Sequence, residues 1–287
     1  MNHKEYFSDS TLFKLPEVIR ENFSSLNLRF SKVYQAGEMI NGLFDELLRR
    51  EIEFKTGELW EKCSKMMVVG TYESWIFAYV LTGAGFSDIG LMALRRSIEF
   101  ICYLSKICNS NERAQLWMNQ LNQKDARIKF SGSFKIPDAY FKNKHEHLRY
   151  LLVAYDLASS YASHANFDML SQKRVEMKDI NEIALSFVDK KTDVPRNLGY
   201  IMLNGSRLIA ALLKIFDKSI KRNPNFMNSI KNLEMMVKEA RLEVANFEFN
   251  GNIPRHIVNG INDNDTSFME KQYQELLSRL KAKKKQM

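Results

Sequence analysis

The strongest constraint on this chain is a spacing. In "FSKVYQAGEMINGLFDELLRREIEF", residues 30–54, Val33, Ala36, Met39, Ile40, Leu43, Phe44 and Leu47 recur every three or four positions. That period gathers them on one face of an α-helix. Similar patterns return in long stretches, and only 12 Gly and 5 Pro interrupt 287 residues. An all-β fold needs frequent turns, so this composition argues against one. The reading is all-α: a single bundle of about six or seven long helices with a basic helical appendage at the C-terminus.

Local signals set the expected boundaries. Pro16 suits the first turn of a helix leading "PEVIRENFSSL". "KTG" at 55–57 breaks the helix of 30–54, and a second helix follows over 58–81. Gly83-Ala84-Gly85 reads as a helix–helix turn, with Ser87 or Asp88 as the next N-cap. Beyond Asn109 the pattern weakens: residues 111–121 read as helix and "KFSGSFKIPDAYF", 129–141, as loop. Further helices are expected over 144–167 and 197–221. Another starts at Asn223 as N-cap and Pro224 at N1 and runs to about 249. Residues 168–196 are ambiguous. The turn-rich "NGNIPRHIVNGINDNDTS" divides the chain into a bundle domain over 1–250, a mobile linker over 251–267, and a basic helix and tail over 268–287.

Several chemistries leave no trace. Cys63, Cys102 and Cys108 are odd in number and form no CxxC pair, which argues against a disulfide framework and against cysteine-bound zinc, and fits a reducing cytoplasm. The polar N-terminus lacks the apolar core of a secretory signal. "WIFAYVL" and "LIAALLKIF" fall short of the roughly 20 apolar residues of a membrane span. No membrane association is expected. Neither a P-loop nor GxGxxG occurs, and no cofactor is expected. His145 and His147, two apart at an expected helix start, point to different faces, so no metal is expected either.

Charge in apolar surroundings is more informative. "GLMALRRSIEFICYLSKI", residues 90–107, is apolar around most of its circumference yet carries Arg95, Arg96 and Glu99. A guanidinium in such a row needs a carboxylate or a route to water, since an unpaired buried charge costs several kcal/mol. Glu99 lies within reach of both arginines. On a later helix, "RYLLVAYDLASSYASHANF", residues 149–167, Arg149, Val153, Asp156, Ser160, Ser163 and His164 share one side. Asp156, Ser160 and His164 are stacked at i, i+4 and i+8. This stripe is either a solvent face or the wall of a polar pocket, and both readings stand. An imidazole beside a carboxylate and a hydroxyl suits proton transfer.

"ALRRSIEF" followed by Ser160-x-x-x-His164 resembles uncharacterised bacterial all-helical proteins that read Leu-Arg-x-x-x-Glu and then Ser-x-x-x-His. Some of these are distantly similar to the HEPN superfamily of helical ribonucleases and phage-defence effectors. The Arg-x4-6-His motif of those nucleases is absent here. The resemblance implies that Arg95 and Glu99 face Ser160 and His164 across a helix interface. It also implies a bacterial, cytoplasmic effector of phage-defence or toxin type acting on nucleic acid. In the catalytic version His164 is general acid or base, and Arg95 or Arg96 stabilises developing negative charge. Glu99 then orients the arginines, while Asp156 and Ser160 set the tautomer of His164. The alternative is a non-enzymatic binding or regulatory module whose charges only fix helix packing.

The net charge of +8 tilts the chain toward anionic partners. Arg279, Lys281, Lys283, Lys284 and Lys285 are the expected phosphate contacts of the tail. The apolar positions of "FMEKQYQELLSRL" would instead pair with a partner chain or a second copy of this one.

Overall fold

The computed structural model describes residues 11–121, 124–134, 136, 148–162 and 193–286. His145, His147, Ser163, His164 and the ambiguous stretch 168–192 lie outside the described residues. Among the described residues the fold is all-α, with eleven α-helices and no strand. They are α1 (Thr11–Arg29), α2 (Ser31–Glu46), α3 (Leu59–Gly83), α4 (Ser87–Ile107), α5 (Asn111–Met118), α6 (Lys124–Ser133), α7 (Arg149–Ala162), α8 (Asp193–Ile215), α9 (Pro224–Glu248), α10 (Arg255–Asn262) and α11 (Thr266–Gln286).

The periodicity that predicts α2 also names its buried face: Val33, Ala36 and Ile40 are fully covered. That face meets α8, and α2 lies along α9. Glu243 of α9 fastens the contact by accepting the otherwise unpaired N–H groups of Lys32 (2.9 Å) and Val33 (3.1 Å) at the start of α2. An acid there also suits the positive end of the helix.

α3 and α4 form a tight hairpin through Ala84 and Gly85, the latter at φ 91°. They approach closely at Gly90, where a Cβ would stand 2.1 Å from Thr82 Oγ1 and 2.9 Å from the Ala78 carbonyl oxygen. The core beside them is aromatic: Trp75 stacks on Tyr79 with ring centres 5.7 Å apart. α8 runs through the middle, against α2, α3, α4, α7 and α9.

Several expectations need correction. Pro16 sits inside α1 rather than at its first turn. The N-cap of α4 is Phe86, one residue before Ser87. Residues 129–133, read as loop, complete α6, because a pattern weak in apolar residues still folds as helix when Phe130 stacks on Phe134 (4.7 Å) and both meet Tyr103. Val194–Ile215 is one helix long and apolar enough to cross a membrane by length and composition. Arg196, Asn204 and Arg207 break up its apolar run in the sequence, and 61% of its apolar window is buried against the other helices. Within the expected linker, residues 255–262 form α10, and α11 begins at Thr266. Turns on either side, with Asn250, Gly251, Asn264 and Asp265 at positive φ, give that stretch its loop-like composition.

Candidate functional site

α4 and α7 pack side by side and bring the first expected cluster together. Arg95 Nε lies 3.4 Å from Glu99 Oε1, one turn along the same helix. Their partner across the interface is Tyr155. Its hydroxyl accepts from Arg95 Nη2 at 3.1 Å and donates to Glu99 Oε1 at 3.2 Å. The Arg95 guanidinium also lies 5.0 Å from the ring centre. Burial alone would lower the Arg95 pKa, but the tyrosine hydroxyl and the Glu99 carboxylate outweigh it and hold the guanidinium charged. Burial pushes the Tyr155 phenol up, and that of neighbouring Tyr103 to about 12. The cluster thus supplies fixed positive charge and a fixed hydroxyl, and neither arginine nor phenol titrates near neutral pH.

Ser160 is not part of it. It lies five residues beyond Tyr155, about 140° round the helix, and its exposed hydroxyl donates to the Asp156 carbonyl oxygen at 2.9 Å. The implied meeting of Arg95 and Glu99 with Ser160 is therefore replaced by Tyr155. Arg96 is exposed, with its guanidinium 5.6 Å from the Phe100 ring centre, so its aliphatic stem crosses apolar surface to reach water.

The polar stripe of α7 faces α11. Arg149 Nη1 donates to Glu270 Oε2 at 2.7 Å, and Arg279 Nη2 donates to Asp156 Oδ2 at 2.9 Å. Hydrogen bonds from Gln274 and Arg149 pull the Glu270 carboxyl below its usual range. Leu276, between the two pairs, and Met269, just before them, are buried. Of the basic residues expected at the tail, Arg279 is thus engaged with the body. Lys281, Lys283, Lys284 and Lys285 follow on the same helix.

The cysteines are not activated. Burial raises Cys63, raises Cys102 strongly and takes Cys108 to about 11, so all three are thiols at neutral pH.

A second site was not expected from the sequence. A pocket of about 430 Å³ opens between α8, α9, α10 and the start of α11. Leu203, Val244, Ala245 and Ile261 give it an apolar wall, and Phe268, 55% exposed, flanks it. At its charged end Arg241 Nη2 donates to Asp265 Oδ2 at 2.6 Å, with the arginine side chain 13% exposed. Nearby, Arg207 Nη2 donates to the Asn264 carbonyl oxygen at 2.8 Å. Burial, against the pull of Tyr200 and Asp265, takes the Arg207 guanidinium down to about 10, still charged at neutral pH. In each arginine Nη1 is buried without an acceptor. Each such N–H costs about 1–3 kcal/mol. The two acceptors that are present sit on consecutive left-handed residues, Asn264 at φ 54° and Asp265 at φ 55°. Left-handed backbone at two non-glycine residues in a row is strain that the surrounding structure must hold in place.

The signal for these residues was in the sequence: Arg207 and Arg241 stand in apolar helical rows as Arg95 does. Asp265 was hidden by its turn-rich surroundings. Among the described residues no group of three His, Cys, Asp or Glu converges to hold a metal ion. No protein-family model, no curated protein and no solved structure matches this chain.

Proposed function

We propose that the protein is a non-enzymatic binding module that engages nucleic acid through the basic end of α11, its internal ion pairs holding the helices in register. In this reading the long helices form one bundle and α11 is its last member. The observation that carries it is the double fastening of α11 to α7 by Arg149–Glu270 and Arg279–Asp156. It anchors the helix whose final turns hold Lys281, Lys283, Lys284 and Lys285. A basic helix end fixed to a rigid body presents its charge with little ordering cost on binding, and phosphate contacts of this kind are sequence-independent. The resemblance to uncharacterised bacterial helical proteins, some of them distantly similar to phage-defence effectors, makes a cytoplasmic nucleic acid the partner of choice. Arg95 and Glu99, closed on Tyr155, act as packing charges in this scheme.

The test is incubation of labelled RNA and DNA with the full chain and with a chain ending at residue 280. Binding that weakens steeply with salt, leaves the nucleic acid intact and is lost on truncation is the expected result. An intact chain that leaves both polymers unbound at low salt removes the reading. Cleavage abolished by His164→Ala would replace it with the catalytic one.

A further inference from the structure

We propose that the pocket between α8, α9, α10 and the start of α11 binds a small amphiphile: one anionic group, carboxylate or phosphate, on an apolar body. Arg241 takes the anion. This site is independent of the nucleic-acid reading, and its test uses different probes.

The charge balance at the pocket's end points to an anion. Arg241 is paired with the Asp265 carboxylate, while Arg207 donates to the neutral carbonyl oxygen of Asn264, which leaves one positive charge in excess. Arg241 lines the pocket with its side chain 13% exposed, and Arg207 stands behind it without lining the pocket. A guanidinium at the pocket's end, with net positive charge around it, suits a carboxylate or phosphate. The other charges at the rim do not cancel the excess. Arg196 is paired with Glu248, and His256 is exposed. A neutral or cationic ligand would leave the excess charge unanswered.

The rest of the pocket asks for an apolar body. Val244, Ala245, Leu203 and Ile261 form the wall, and exposed Phe268 offers a ring that an apolar chain would cover. Gly199 and Gly260 leave gaps among the side chains that α8 and α10 present to the pocket. The volume of about 430 Å³ lies in the range of small-molecule sites. The strained pair Asn264–Asp265 holds both acceptors on the arginines, so the guanidinium groups are fixed in place before any ligand arrives.

Gly199 supplies a clean blocking variant. A Cβ there meets only Arg241 Cγ, at an ordinary 3.6 Å, so Gly199→Leu fits the helix while its side chain fills the pocket. Calorimetric titration of the full chain would use octanoate, octyl phosphate, octanol and inorganic phosphate, each below its aggregation limit. At least one of octanoate and octyl phosphate binds at least about tenfold more tightly than octanol and inorganic phosphate, and the tighter of the two names the headgroup. Gly199→Leu, with unchanged circular dichroism, abolishes that binding, and Arg241→Gln weakens it at least about tenfold. If Gly199→Leu fails to fold, Arg241→Gln carries the test alone. Octanol binding as tightly as both anionic amphiphiles, or amphiphile affinity untouched in the folded variants, overturns the proposal.

Discussion

Arg279 reaches from α11 to Asp156 on α7 and donates to its carboxylate across 2.9 Å. The residue expected to wait for a phosphate and the residue expected to steer a histidine are each other's partners. Their pairing ties the last helix to α7.

That pairing is exposed, at 59% and 35%, and is worth at most about 1 kcal/mol. Leu276 on the same helix is 6% exposed, and its truncation to Ala costs about 2–5 kcal/mol. Asp156→Ala should therefore speed amide exchange at the end of α11 and leave the denaturation midpoint nearly unchanged. Leu276→Ala should lower the midpoint clearly. The reverse order would mean that charge rather than apolar contact docks the helix.

Tyr155 bridges Arg95 and Glu99 with one hydroxyl, so Tyr155→Phe removes both hydrogen bonds and keeps the ring. The expected loss is about 1 kcal/mol, since both charged groups retain a route to water. A urea melt measures it, and an unchanged midpoint would sink the bridge as a packing element.

At Gly90 the clash is with backbone as well as side chain, because a Cβ there stands 2.9 Å from the Ala78 carbonyl oxygen. Gly90→Ala should cost about 1–3 kcal/mol by forcing α3 and α4 apart, despite alanine's better helix propensity. Thermal unfolding checks the sign.

Glu61 holds the turn before α3 by accepting from the N–H groups of Lys55 (3.0 Å), Thr56 (2.9 Å) and Gly57 (2.8 Å). Burial alone would raise its pKa, but these donors outweigh burial and hold it below the usual 4.5. A depressed folded-state pKa adds stability that is complete above the unfolded value and is lost as pH falls through the folded one. Wild-type protein should therefore lose this contribution below about pH 4.5. Glu61→Gln should be less stable at neutral pH and show a shallower acid limb in melts between pH 3 and 7, in a range set by about the carboxyl pKa.

Much of the architecture was legible because it rests on local pattern. The α2 period named its buried residues, and Asn223 caps α9 by accepting from Asn225 with Pro224 in the first turn. What failed depended on distant partners. The stripe on α7 leaves both a solvent face and a pocket wall open, because nothing within residues 149–167 says that Glu270 and Arg279 will arrive from more than a hundred positions away. The rule that a guanidinium in an apolar row needs an acceptor or a charge partner holds at Arg95, and Arg207 and Arg241 obey it with partners from a distant turn. The linker reading came from composition, and composition cannot separate a loose chain from a turn held by two guanidinium groups.

Asp265 belongs to two structures at once. Its carboxylate answers Arg241, while its carbonyl accepts the Met269 N–H at 2.8 Å in the first turn of α11. The floor of a cavity and the root of a lever are thus a single residue. A substitution at that carboxylate therefore touches the pocket and the first turn of α11 together.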